Sequence, residues 1–134
     1  MIKNTYSYDD VLLKPQYSDI RSRSEIDIGV DLGKGVILQL PILASPMDTI
    51  SEGAMGTAMG KAGASAIIHR YNTIQEQMNE INRVESPRII GAAIGISGDY
   101  LERASALADY GADFLCVDVA HGHHVMMKEA LYEL

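Results

Sequence analysis

The side chains that could do chemistry fall in a few short stretches. Cys116 is the only cysteine, and so the only candidate sulfur nucleophile. It sits inside the apolar run Phe114-Leu115-Cys116-Val117. A thiol there is expected to be a buried, inert strand residue, because desolvation disfavours the reactive thiolate. His121, His123 and His124 crowd one turn. Imidazoles ligate metals, but spacing of i, i+2, i+3 with no fourth ligand in view is weak support for one, and no metal is expected. The remaining candidates are polar residues that interrupt apolar runs. Ser45-Pro46-Met47-Asp48 follows Ile42-Leu43-Ala44, His69-Arg70 follows Ala66-Ile67-Ile68, and Asp118 follows Val117. Polar turns at the carboxyl ends of strands are where α/β folds place ligand chemistry.

The elements that must position these residues repeat. Buried-strand candidates begin near Ile42, Ala66, Ile89 and Phe114, spaced 24, 23 and 25 residues apart. A regular period of this size signals one repeated supersecondary unit. Each gap carries a helical pattern. The first has Ala54, Met55, Ala58, Met59 and Ala62, with Asp48 placed to favour a helix start. The second has Ile74, Met78 and Ile81 at i, i+4, i+7, opened by a Thr73–Glu76 capping box. The third has Leu101, Ala104 and Leu107, with Asp99 as the expected N-cap. A fourth helix is predicted to turn Met127, Ala130, Leu131 and Leu134 to one face. The strand Ile89–Ile94 is apolar on both faces, the signature of a parallel sheet covered by helices. The expected fold is therefore α/β, with four parallel strands in sequential order and helices on one side.

Ahead of the repeats, residues 1–40 read as an extension with short strands. Ser22–Ile28 alternates polar and apolar at its end, Gly33-Lys34-Gly35 reads as a turn, and Val36-Ile37-Leu38 as a further strand. Residues 41–134 then hold four βα units, whose last helix runs to Leu134. Two readings stay open on this pattern: a small four-stranded α/β domain, or the amino-terminal half of a (β/α)₈ barrel, whose full length is about 250 residues.

Bulk composition narrows the class. The 134 residues are 47% hydrophobic and 22% charged, as in globular domains, and the net charge is -7. That charge argues against sequence-independent nucleic-acid binding. The amino terminus lacks the apolar core of a signal peptide, and no run is long enough to span a bilayer. With one cysteine and no possible internal disulfide, the expected compartment is the cytoplasm, with no membrane partner.

Five motifs occur in order: Tyr8–Pro15 (YDDVLLKP), Ala44–Thr49 (ASPMDT), Ile68-His69-Arg70, Gly91–Gly95 (GAAIG) and Asp118–His123 (DVAHGH). Together, at βα spacing, they resemble the IMP dehydrogenase and GMP reductase family. The resemblance runs from about Tyr6 to the end of the chain and implies a (β/α)₈ TIM barrel, of which this chain holds the amino-terminal half. It implies hydride transfer between a nicotinamide cofactor, NAD or NADP, and carbon 2 of a purine 5′-monophosphate, IMP or GMP, through a covalent thioimidate on a catalytic cysteine. It also implies a homo-oligomer, a tetramer.

The resemblance assigns roles residue by residue. Ser45 and Met47 line the nucleotide pocket, with Met47 against the purine base; the alternative is a turn serine and a core methionine. Asp118 faces the nicotinamide ribose, where a carboxylate accepts hydroxyl hydrogen bonds; the alternative is a helix cap. His69 and Arg70 lie on the cofactor side, or else form a solvated strand end. The family's catalytic cysteine lies on a loop after a later strand, so Cys116 does not replace it and the chain alone is expected to be inactive. Branch features disagree. Glu85-Ser86-Pro87-Arg88 joins the second helix directly to the third strand, as in GMP reductases. Ala44–Thr49 and Gly91–Gly95 look dehydrogenase-like, although Val119 stands where a dehydrogenase carries serine. The balance tilts to IMP dehydrogenase, with GMP reductase or a non-catalytic half-barrel that binds nucleotide or a partner chain as alternatives.

Overall fold

Parallel strands set side by side need helices to carry the chain back, and the local sequence supplies them. The structure, a computed structural model, describes residues 4–134. The strands β3 (Leu43–Ala44), β4 (Ser65–Ile68), β5 (Ile90–Ile94) and β6 (Phe114–Val117) alternate with the helices α1 (Gly53–Lys61), α2 (Ile74–Asn82), α3 (Tyr100–Asp109) and α4 (Val125–Glu133). Among the described residues the four strands form one sheet in the order β3-β4-β5-β6, and every pairing is parallel. Register is set by Leu43↔Ser65, Ala66↔Ile90 and Gly91↔Phe114. The sequential parallel order agrees with the reading of the repeats as consecutive βα units of a barrel.

The capping box opens α2 as its residues predict. The Thr73 hydroxyl accepts from the Glu76 N–H at 3.2 Å, and the Glu76 carboxylate accepts from the Thr73 N–H at 2.9 Å. Asp99 holds the N-cap position of α3, and its carbonyl accepts the Arg103 N–H at 2.8 Å, but its side chain makes no capping hydrogen bond to the helix backbone. Its carboxylate instead accepts from Arg103 at 2.8 Å, which competes for the same oxygens. In α1, Gly53 and Gly56 are buried because neighbours come too close for side chains. A Cβ at Gly56 would lie 2.7 Å from Val84 Cγ2 and 3.0 Å from Ile90 Cδ1.

The core lies between the sheet and α1–α3. Ala66, Ile68, Ile90, Ala92 and Ile94 from one face of β4 and β5 meet Ile81, Val84, Ala104 and Leu107. Met55 and Met59 of α1 pack against this cluster. Each fully buried isoleucine contributes about 2 kcal/mol of transfer free energy. No helix among the described residues is long and apolar enough to cross a membrane.

Two expectations need correction. No strand forms at Ile26–Ile28. Arg23–Glu25 is a 3₁₀ turn, and Asp27 accepts the Gly29 N–H at 2.8 Å, so the chain bends there rather than extends. The hairpin pairs β1 (Val30–Asp31) with β2 (Ile37–Leu38) around Gly33-Lys34-Gly35, all three at positive φ. Cys116 is half-buried rather than buried, because β6 is the outermost strand of the sheet. On α4, Ala130 is buried, but Leu131 is 57% exposed and Leu134 is also exposed.

Candidate functional site

The chemistry-bearing turns all leave the sheet at its carboxyl edge, because every strand of it runs in the same direction. After β3, the segment Ser45–Ser51 folds back on itself. The N–H groups of Ile50 and Ser51 donate to Met47 O at 3.2 and 2.9 Å, and Thr49 takes a positive φ of 60°. The buried Ser51 hydroxyl donates to Ser45 O, and Ser51 O accepts the His69 N–H at 3.1 Å. The turn is thus pinned to the end of β4. Its pinned backbone leaves the Met47 side chain 51% exposed beside an exposed Ser45. Asp48 caps no helix, since α1 starts only at Gly53 with Glu52 as its N-cap. Its carboxylate lies 3.9 Å from His69 Nε2 instead.

His69 is 3% exposed and both its ring nitrogens are engaged. Nδ1 accepts the Tyr71 N–H at 3.2 Å, which leaves the ring hydrogen on Nε2, 3.3 Å from Glu52 Oε1. The ring is turned toward the start of α1 and holds the backbone of its own turn.

Arg70 reaches the other way. Its Nε donates to Asp118 Oδ2 at 3.2 Å and its Nη2 to Asp118 O at 3.1 Å. The guanidinium also sits 5.5 Å from the centre of the Tyr71 ring. This pair joins the ends of β4 and β6 across the end of β5. The crossing point is Gly95, where a Cβ would lie 3.5 Å from Arg70 Nη1. Asp118 is held there by its N–H, which donates to Ile94 O at 2.9 Å. Beside the pair is a cleft of about 340 Å³, lined by Arg70, Gly95, Ile96, Ser97, Asp118 and Val119 among others. Both charged side chains remain partly exposed to it.

Of the five residues singled out in the sequence, Arg70 and Asp118 touch each other, and His69 lies next to Arg70 in the chain with its ring turned aside. Ser45 and Met47 stand at the same edge on the neighbouring turn. The donor set suits a nicotinamide dinucleotide: a carboxylate for ribose hydroxyls and a guanidinium for phosphate oxygens, both facing an open cleft. His124 Nδ1 accepts the Met126 N–H at 3.2 Å and so caps α4. The Cys116 thiol is pushed above its ordinary pKa, first by burial and then by the negative charge of Asp118. Another opening, of about 520 Å³, runs along α4 past His124, Val125, Met127 and Leu131, away from Arg70 and Asp118.

Sequence reasoning missed Gln77 and Arg103. Both are buried, at 0% and 7% exposure, and they hydrogen-bond to each other. A signal existed. Gln77 lies between Ile74 and Ile81, and Arg103 between Tyr100 and Leu107, each a polar residue on an apolar helical stripe.

A family model described as "IMP dehydrogenase / GMP reductase domain" matches residues 5–134. The inosine-5'-monophosphate dehydrogenase of Nitrosopumilus maritimus is 46% identical over 62% of this chain and 17% of its own length. A GMP reductase of Leishmania donovani is 38% identical over 63% of this chain and 19% of its own. Among solved structures, the inosine 5' monophosphate dehydrogenase from Legionella pneumophila superposes with a TM-score of 0.79 at 39% identity, over 93% of this chain and 38% of that one. The chain spans less than half the length of each of these relatives.

Proposed function

The chain belongs to the IMP dehydrogenase / GMP reductase family, and from that premise we propose that it forms the amino-terminal half of the barrel of a purine nucleotide oxidoreductase. The enzyme moves a hydride between NAD or NADP and carbon 2 of a purine 5′-monophosphate. The IMP dehydrogenase direction, IMP to XMP, is favoured over GMP reduction, because the 46%-identical relative and the superposed structure both carry that name. The observation that supports the reading is the convergence of three polar turns, after β3, β4 and β6, on one edge of a parallel sheet.

The residues divide the work. Ser45 and Met47 hold the purine nucleotide, the exposed Met47 side chain lying against the base. Asp118 accepts hydrogen bonds from the cofactor ribose, and Arg70 supplies positive charge to its phosphates. His69 serves the cofactor side by fixing the turn that carries Arg70. The cofactor, when bound, supplies the hydride acceptor or donor. The family's nucleophilic cysteine follows a later strand, and Cys116, in β6 with its thiol pKa raised, does not take its place. The 134 residues alone therefore do not turn over. Residues 1–40 act as an extension and 41–134 as the first four barrel units, within a cytoplasmic homotetramer.

Two measurements test this. Titration calorimetry with IMP and GMP on a form of the protein extended to the complete barrel should show binding that Met47→Asp weakens about tenfold or more, since it sets an unpaired charge against the base. Unchanged affinity for both nucleotides would remove the assignment. In the chain alone, hydride transfer should be absent with IMP and NAD and with GMP and NADPH. Robust turnover that disappears in Cys116→Ser would overturn the reading of that cysteine.

A further inference from the structure

The interior of this chain holds an amide and a guanidinium that the proposed chemistry does not use. Gln77, in the first half of α2, donates from its amide nitrogen to Ile68 O at 3.2 Å and Ala93 O at 2.9 Å. Its amide oxygen accepts from Arg103 Nη1 at 2.7 Å. A guanidinium only donates, so the amide can face only this way. Arg103 Nη2 then donates to Asn72 O at 3.0 Å and to Asp99 Oδ2 at 2.8 Å. The four bonds other than the one between Gln77 and Arg103 end on different parts of the carboxyl edge. Ile68 closes β4, Ala93 stands one residue from the end of β5, Asn72 lies in the turn after β4, and Asp99 in the turn after β5.

Burying a cation and an amide is unfavourable unless every group is satisfied. Leucine or methionine would fill the same helical positions without that penalty. What the polar pair adds is directed geometry. Arg70 lies between two clamped carbonyls, Ile68 O and Asn72 O, and Gly95 lies two residues beyond the clamped Ala93 O. We propose that Gln77 and Arg103 are positioning residues for the carboxyl-edge site. They hold the turns after β4 and β5 at the separation that lets Arg70 pass over Gly95 and reach Asp118. The functional meaning of this clamp rests on the nucleotide reading above, whereas the clamp itself does not.

The test uses the full chain and the variants Arg103→Lys and Gln77→Met, with Ile81→Val as an apolar control. Amide exchange is followed by NMR, together with the Arg70 Nε–H signal. In both variants, amides of residues 69–72 and 95–98 should exchange about tenfold faster, and the Arg70 Nε–H should lose its protection. Strand amides such as Ile67 and Ala92 should stay within about twofold of the parent. The control should move neither set selectively. Equal acceleration of strands and turns, unchanged turns, or failure of both variants to fold would each overturn the proposal, leaving Gln77 and Arg103 as structural filler. Adding IMP and NAD to the parent chain separates the two readings. Absence of binding there means that this half does not hold nucleotide by itself, while the exchange pattern still decides the clamp. Where the parent binds, both variants should bind more weakly with strand protection intact.

Discussion

Strands β5 and β6 are similarly apolar, yet the chain treats them differently. All five residues of Ile90–Ile94 are buried, whereas all four of Phe114–Val117 are only half-buried. The helices beside them differ in the same way. α3 buries Arg103, Ala104 and Leu107, but α4 buries Ala130 and leaves Leu131 and Tyr132 in solvent. The difference is one of neighbours. β5 has a strand on each side, while β6 pairs with β5 along one edge. An apolar sequence makes a strand buriable, but only flanking elements bury it. The Arg70–Asp118 pair bridges these two regimes, with one partner at the end of the interior strand β4 and the other at the end of the edge strand.

The sharpest way to break this comparison is a pair of core truncations. Ile90→Ala, at a fully buried site, should cost about 2–5 kcal/mol in urea denaturation. Leu131→Ala on α4 should stay within about 0.5 kcal/mol. Similar costs at the two sites would mean that α4 is as well covered as the interior. A smaller loss, about 1–3 kcal/mol, is expected for Gly56→Ala, whose new methyl group would press on Val84 and Ile90 despite better helix propensity. An unchanged denaturation midpoint there would show slack in the core.

Cys116 reports on the edge more gently. Its thiol titrates above the ordinary 9.0, so at about pH 8 alkylation should run slower than for a free thiol. Asp118→Asn removes the smaller of the two causes and should speed the reaction by a factor of about two to five. No acceleration would mean that burial alone accounts for the shift. The smallest effect belongs to Glu76, whose carboxyl is held below its ordinary 4.5, first by the Thr73 N–H and then by the Thr73 hydroxyl. A lowered folded pKa gives stability that is present above the unfolded value and lost as pH falls through the folded one. Glu76→Gln should flatten the stability profile on the acid side of 4.5 and change little near neutrality.

Much of this was legible from residue order, and the misses have a common cause. The 24-residue period and the two-faced apolar strands identified four parallel βα units, because hydrophobic periodicity and capping are local properties. The Thr73–Glu76 box formed for the same reason. The hairpin strand was misplaced because Asp27 could either sit in a strand or bond its own neighbour at Gly29, and the short polar contact won. Asp99 kept its position but lost its role, since Arg103 lay one helical turn away.

What residue order determined by itself is the set of strand ends carrying Ser45, Met47, His69, Arg70 and Asp118, together with their placement at one edge of a parallel sheet. Only the tertiary structure decided which of these meet. Arg70 and Asp118 are 48 residues apart and touch because β4 and β6 flank one strand, β5, that is followed at once by Gly95. His69 turns aside because Tyr71 and Glu52 take its nitrogens. Gln77 and Arg103 join α2 to α3 through a hydrogen bond between residues 26 apart. Such pairings depend on register and crossing geometry summed over many contacts, and no local pattern encodes them.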